Sequence, residues 1–348
     1  MRIGVQPESL VEWIALRLGV VPVPLLETHI GATLARSIMA GVELGIFDCL
    51  ESGSLTVGEI STRCGTEPRA TALLLDALAA CGYLSRSAEH YELKAQSRKW
   101  LFAGSPNSVR DKILLQVTEW RWLAQLEEFV RTGRPLDFHA TMSDADRDLY
   151  HRSMRALAGI AGREVAWRTP VPRGARLMLD LGGSHGHFAA AICRRHPGLR
   201  GHVLDLPEAI EKAAPLLAAE GLGDRVVHVA GDATRADLGD ERYDLIFMSN
   251  LAHHLDGEEN RTLTQRVTRA LRPRGVFVIQ EPVRPHRPED AGQTGTLLGL
   301  YFALQSRANV RTWTIAEIAG WQTDAGLHER APVRLLTAPG WVHQAAVR

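Results

Sequence analysis

In the second half of the chain, five short aliphatic runs each stop at residues able to hold a ligand or move a proton. Residues 175–180 (ARLMLD) run into Leu181-Gly182-Gly183-Ser184-His185-Gly186, and 201–204 stop at Asp205. Residues 226–230 lead to Gly231-Asp232-Ala233, 243–248 to Ser249-Asn250-Leu251-Ala252-His253-His254, and 275–280 to Glu281. Any one of these acids could be a helix cap or a turn residue. Their recurrence at the end of every run points to one ligand-binding edge.

His253 carries the most chemistry. An imidazole, with an ordinary pKa of about 6.5, takes a proton from a hydroxyl at neutral pH. A carboxylate on its other nitrogen fixes the tautomer and stabilises the imidazolium. His253 follows the fourth run and Glu281 stands at the matching level one run later, which fits a base and its orienting acid. Plainer readings remain: a buried, satisfied histidine, a helix-start residue, or half of a metal site with His254 and Asp256. Neighbours at a helix start project about 100° apart, poor geometry for one ion. His254 lines the same pocket or faces solvent, and His185 caps the site or fills the glycine turn.

These residues need a frame. Strand, glycine-rich turn and helix (187–196) in succession open a doubly wound α/β sheet, whose ligands sit at the strand carboxyl ends. An acid ending the second strand, here Asp205, grips ribose hydroxyls in such folds. The turn lacks G-x-G-x-x-G, because Ser184 and His185 stand two positions after Gly182 and Gly183. Asp180 beside the turn would also repel a pyrophosphate, so the chemistry is not that of a dinucleotide.

The alternating pattern begins near Pro170-Val171-Pro172-Arg173-Gly174; upstream the spacing is helical. Residues 28–51 carry Ile30, Leu34, Ile38, Val42, Leu44 and Leu50 with few charges, which predicts a segment buried in a core or against a second chain. Residues 55–101 read as helix 57–63, a turn at Cys64-Gly65, helix 68–81 and strand-like 90–93, a helix-turn-helix with a wing. A DNA-reading helix needs several basic or amide side chains. Helix 68–81 offers only Arg69, so a structural module is the better reading. Residues 105–170 read as a helical linker region whose Trp120, Trp122, Phe129, Phe138, Met142, Tyr150 and Met154 form core or floor an apolar pocket.

The 348 residues hold 40 basic and 40 acidic side chains, which excludes a chain that works by coating nucleic acid or an anionic membrane. No stretch approaches about 18 uninterrupted apolar residues, and no secretory signal pattern opens the chain. Cys49, Cys64, Cys81 and Cys193 form no CxxC pair and read as reduced thiols of a cytoplasmic protein.

The order LDLGGSHG, VLDLPEAI, GDA, YDLIFMSNLAHHL and RPRGVFVIQEPV resembles the S-adenosylmethionine-dependent methyltransferases. Within them it is similar to the small-molecule O-methyltransferases, which include plant caffeate and flavonoid enzymes and bacterial natural-product enzymes. The resemblance covers the chain from about Thr28 and is strongest over 176–285. It implies an α/β, Rossmann-like catalytic domain over 171–348 and a winged-helix dimerisation domain over 1–104, and therefore a homodimer. It implies S-adenosyl-L-methionine as cofactor, with Gly182 and Gly183 against its methionine part and Asp180 in the same set. Asp205 would take the ribose hydroxyls, Leu206 would pack by the adenine, Asp232 and Ala233 would flank it, and Met248 and Ser249 would line the far side. His253 falls at the family's catalytic base and Glu281 at its orienting acid. Met154, Asn250, His254 and Phe302 (on a helix over 291–308) are the expected acceptor contacts.

Three positions depart from the plant pattern. His254-Leu255 follows the base where Asp-Trp is usual, Val310 replaces a second orienting Glu ahead of Arg311-Thr312, and Ser249 stands where Lys is frequent. Glu281 is then the base's one expected carboxylate. The expected reaction is methyl transfer to a hydroxyl of a small aromatic metabolite. A carbon or nitrogen acceptor would use the same cofactor site, and a transcriptional regulator with a degenerate methyltransferase half is the alternative of another class.

Overall fold

In the computed structural model, which describes residues 3–307 and 309–348, the chain divides into two units between Val117 and Thr118. The division lies inside the helix Arg110–Leu123 rather than at residue 104 or near 170. The long helix Asp144–Arg168 buries Ala158, Ala161 and Val165 in one of the sheet's two core clusters.

In the N-terminal unit the apolar segment 28–51 is broken. Helix Gly31–Glu43 ends at Leu44, Gly45 takes a left-handed φ of 72°, and a short helix Ile46–Cys49 follows. Val42, Ile46, Phe47 and Leu50 face the core, while Ile30 and Leu44 remain exposed. Thr56 and Glu59 form a capping box that opens helix Val57–Cys64, and Gly65 ends it in the left-handed region. Helix Pro68–Ala80 follows, with Glu67 accepting from its first amides. Strands β1 (Leu55–Thr56), β2 (Leu84–Ser87) and β3 (His90–Leu93) pair antiparallel in the order β1-β3-β2. Tyr91 and Leu93 point inward from β3, as its alternating burial requires.

The second unit holds an eight-stranded sheet: β4 (Leu177–Leu181), β5 (Arg200–Asp205), β6 (Val226–Ala230), β7 (Tyr243–Ser249), β8 (Leu271–Pro282), β9 (His328–Glu329), β10 (Val333–Arg334) and β11 (Trp341–Val347). Its order is β10-β11-β8-β7-β4-β5-β6, with β9 also on β11. Strands β4 to β8 run parallel; β11 is antiparallel to β8. Buried on both faces, the parallel strands are nearly continuous aliphatic runs. Helices Asp144–Arg168 and His187–Arg195 pack one face, and Gly257–Ala270 and Ile315–Asp324 the other.

Strand order reverses between β4 and β7, whose ends meet where Leu181 pairs with Met248. That reversal opens a crevice at the carboxyl ends, the usual ligand position in such sheets. The glycine turn and the His253 loop leave from its two sides.

Candidate active site

The turn after β4 is built around Ser184, a non-glycine residue held at φ 41°. Its amide donates to Asp205 Oδ2 at 2.8 Å, its carbonyl accepts from His228 Nε2 at 2.7 Å, and its Oγ meets His151 Nδ1 at 2.7 Å. The second oxygen of Asp205 accepts from the Leu206 amide at 2.8 Å. Burial raises the Asp205 carboxyl and these two amides oppose the rise. Each oxygen keeps a lone pair for a further donor.

Asp180, only 1% exposed, lies behind the turn, and neither of its oxygens makes a hydrogen bond of full geometry. Burial pushes its carboxyl up to about 8, with the Ala189 amide lowering it only in part and Asp205 adding to the rise. Gly183 has a local reason: an added Cβ would lie 2.6 Å from Asp180 Cγ and 2.8 Å from a Val203 methyl. The glycine therefore makes room for the turn's own side chains. His185 fills the turn, its Nδ1 accepting from the His187 amide, and burial lowers it to about 3.

Along the crevice, Leu206 is 41% exposed and free to pack on a ligand. Asp232 uses Oδ1 for the amide and hydroxyl of Thr234, and Ala233 sits at the core edge. Two of the expected contact residues are held by the protein itself here. Met248 is 1% exposed and packed with Ile246, Ile279 and Trp313, because strand alternation turns it into the helix layer rather than toward a ligand. Asn250, at φ 54°, has its amide engaged: Oδ1 accepts from Trp341 Nε1 at 2.7 Å and Nδ2 donates to Ser249 Oγ at 3.0 Å. It belongs to a buried network, since Gln280 donates to the same Ser249 oxygen and accepts from His343. Ser249 is thus half-buried with its hydroxyl already bonded.

On the other side of the crevice His253 Nδ1 donates to Glu281 Oε2 at 2.7 Å, with the two residues 4% and 0% exposed. Glu281 Oε1 accepts from the Ala252 amide at 2.7 Å, so one carboxylate fixes both ring and backbone. The Ala252 carbonyl accepts from Trp313 Nε1 and Asn260 Nδ2, which tie the loop from behind. This arrangement leaves Nε2 as the nitrogen for chemistry. Val310 is buried and brings no second acid. The Asp256 carboxylate caps helix Gly257–Ala270 through the Glu258 and Glu259 amides, so it is not available to share a metal with the histidines.

Aromatic rings surround His253. Phe302, on helix Gln293–Gln305, lies 4.8 Å from the His253 ring and His254 lies 4.2 Å from it. His254 in turn meets His139 at 5.0 Å, and Phe138 and Tyr150 close the group. Burial first, then the charges of His253, His139 and Arg307, lower His254 well below the usual imidazole range. Met154 is half-buried one turn beyond His151 on the same helix. The sequence reading passed over Asn260, Trp313, His139 and His151. The last had a signal, since 147, 150, 151 and 154 share one helical face.

The donor set fits a nucleoside bearing an amino acid: an uncompensated buried carboxyl at Asp180 for an ammonium, and Asp205 for paired hydroxyls. The O-methyltransferase domain model matches residues 125–328, and the O-methyltransferase dimerisation domain model matches 27–102. The chain is 27% identical over 332 residues to 3-hydroxy-5-methyl-1-naphthoate 3-O-methyltransferase of Streptomyces sahachiroi, covering 92% of this chain and 93% of the relative. It is 30% identical over 311 residues to acetylserotonin O-methyltransferase of Mus musculus, covering 83% and 79%. In fold it is similar to human N-acetylserotonin methyltransferase in complex with SAM, with a TM-score of 0.82, 20% identity and 99% of each chain covered.

Proposed function

The chain belongs to the S-adenosylmethionine-dependent O-methyltransferase family, and on that premise we propose how its own residues carry the reaction and on what acceptor. S-adenosylmethionine supplies an activated methyl group on a sulfonium, so the protein's tasks are alignment and removal of the acceptor's proton. Asp180 would hold the ammonium end, Gly182 and Gly183 shape the floor, and Asp205 hold the ribose hydroxyls. Leu206, Asp232, Ala233 and Ser249 would border the adenine.

His253 is the base. The observation that carries this is the 2.7 Å Nδ1–Oε2 pair with Glu281, buried on both sides and facing a ring-lined space. With Nδ1–H committed to Glu281, Nε2 holds a lone pair toward the acceptor, and the carboxylate stabilises the imidazolium once the proton moves. Phe302, His254 and Met154 hold the acceptor's plane. Positioning of this kind supplies up to about 7–11 kcal/mol in the best intramolecular cases. The relatives named for hydroxynaphthoate and acetylserotonin support a small aromatic acceptor.

The N-terminal unit supports a homodimer. Helix Leu10–Arg17 buries none of its residues, and Leu10, Val11, Trp13 and Ile14 are exposed within it. Light scattering should give twice the 38.3 kDa chain mass. Among the described residues no helix is long and apolar enough to cross a membrane, and the four free cysteines fit a reducing, cytoplasmic setting. The reaction is tested by incubating the protein and S-adenosylmethionine with phenols, indoles and keto acids, then locating the methyl in the product. Transfer only to carbon or nitrogen would replace the hydroxyl reading.

A further inference from the structure

Helix Asp144–Arg168 carries five arginines, and their partners differ. Arg152 pairs with Asp148, Arg155 with Glu220, and Arg168 with Glu164, while Arg163 is exposed to solvent. Arg147 is half-buried, and among the described residues it forms no ion pair. A half-buried guanidinium held without a carboxylate is poised for an external anion.

Its position relates it to the rings around His253. Arg147 stands one turn before Tyr150 and His151 and two before Met154, so these side chains share one face of the helix. Tyr150 meets His139 at 5.5 Å, His139 meets His254 at 5.0 Å, and His254 meets the His253 ring at 4.2 Å. Among the described residues the ring nitrogens of His139 and His254 have no hydrogen-bond partner, so both remain open to a polar group. Burial first and then Arg147 lower His151 to about 4, so it is neutral and does not compete for the anion. Burial lowers His139 to about 4; Asp137 opposes the fall, and His253, His151 and lastly Arg147 add to it. Asp137 makes no ion pair with Arg147 among the described residues.

We infer that the acceptor is an aromatic hydroxy acid: its hydroxyl lies at His253, and its carboxylate is bound by Arg147 with help from the open nitrogens of His139 and His254. This rests on the reading of His253 as the base of a hydroxyl acceptor. The chain of ring contacts from His253 through His254 and His139 to Tyr150 leads to the helical face that carries Arg147. Arg147 then acts in specificity and leaves proton transfer to His253.

Two measurements separate this inference from the reading beneath it. The first uses 2-naphthoate and 2-naphthamide, which have no hydroxyl to methylate, titrated into protein saturated with S-adenosylhomocysteine. The acid should bind about 10–100-fold more tightly than the amide, the usual worth of charge-assisted hydrogen bonds. In Arg147→Gln its affinity should fall to the amide's level, and Arg147→Lys should recover part of the difference. Equal binding of acid and amide, absence of binding by the acid, or a preference that survives Arg147→Gln would each overturn the inference. The second compares methylation of 3-hydroxy-2-naphthoate with its methyl ester. Wild type should favour the acid through KM, and Arg147→Gln should remove that advantage with kcat little changed. If 2-naphthoate binds through Arg147 yet no hydroxyl is ever methylated, the carboxylate site stands and the base reading fails. If phenols are methylated and acid and ester are equal, the reverse holds.

Discussion

After β4 the chain turns through Ser184, whose amide, carbonyl and hydroxyl are all bonded to neighbouring protein groups. After β7 it turns through His253, where a single carboxylate sets the ring and other rings cover it. The first side is organised by hydrogen bonds fixed before any ligand arrives, which suits a cofactor common to a whole family. The second is organised by ring contacts and open imidazole nitrogens, which suits an acceptor that varies between members. Changes on the first side should appear as affinity, and changes on the second as turnover or choice of acceptor.

The sharpest way to break that division is His253→Ala. Turnover should fall about 10²–10⁴-fold, the usual range for general-base catalysis, while S-adenosylhomocysteine affinity stays within about twofold. Glu281→Gln should lose less, since the imidazole remains but its tautomer and charge are less well supported. Calorimetry and initial rates on the same preparations check both. Loss of cofactor affinity in His253→Ala would show that the two sides are not separate.

Asp205→Ala should do the opposite. Losing hydrogen bonds to a charged group at about 1.5–3 kcal/mol each should weaken S-adenosylhomocysteine at least tenfold, and more because Ser184 also loses its anchor. With cofactor at saturation, turnover should recover to within about threefold. An affinity equal to wild type would remove Asp205 from the site.

How much of this was legible beforehand follows the same division. Aliphatic runs ending in Asp205, Asp232 and Glu281 are strand ends whatever their environment, because a buried parallel strand has few other ways to be written. The helix boundaries near Thr56 and Gly65 were also legible, because cap chemistry marks them. The surroundings of Met248 and Asn250 were not legible, because strand alternation and a left-handed turn, not residue type, decide where those side chains go. His139, His151 and Arg147 sit on helices where an aromatic or charged residue at helical spacing equally describes ordinary packing. The ring contacts, and for Arg147 the lack of an ion pair among the described residues, distinguish them.

Asp180 gives a smaller, pH-dependent effect on the cofactor side. Its carboxyl titrates near 8 in the folded chain against an ordinary 3.8. A group raised on folding contributes its full stability below about pH 3.8 and loses it as the pH climbs toward 8. Ligand-free protein should therefore lose Tm over that window, and Asp180→Asn should flatten the decline. If the ammonium of S-adenosylhomocysteine sits against Asp180, binding near pH 7 should release a fraction of a proton. Binding heats that do not change with the buffer's ionisation enthalpy would place the ammonium elsewhere.

The smallest expected effect tests a bond that joins the glycine turn to helix Asp144–Arg168, Ser184 Oγ to His151 Nδ1. Three terms compete in Ser184→Gly. Relief of a left-handed backbone at φ 41° favours glycine by about 1–2 kcal/mol. The lost hydrogen bond opposes it by about 0.5–1.5 kcal/mol, and the freer unfolded chain by a further 0.5–1 kcal/mol or so. The sum is close to zero, so urea unfolding should place the variant within about 1 kcal/mol of wild type. Cofactor affinity should hold as well, because the amide that donates to Asp205 is unchanged. What should move is the acceptor's KM, by a few-fold, since His151 loses its tether and carries Tyr150 and Arg147 on the same helical face. A loss of stability above about 2 kcal/mol would mean that the hydroxyl, and not the backbone, holds the turn, and that the two sides are built as one.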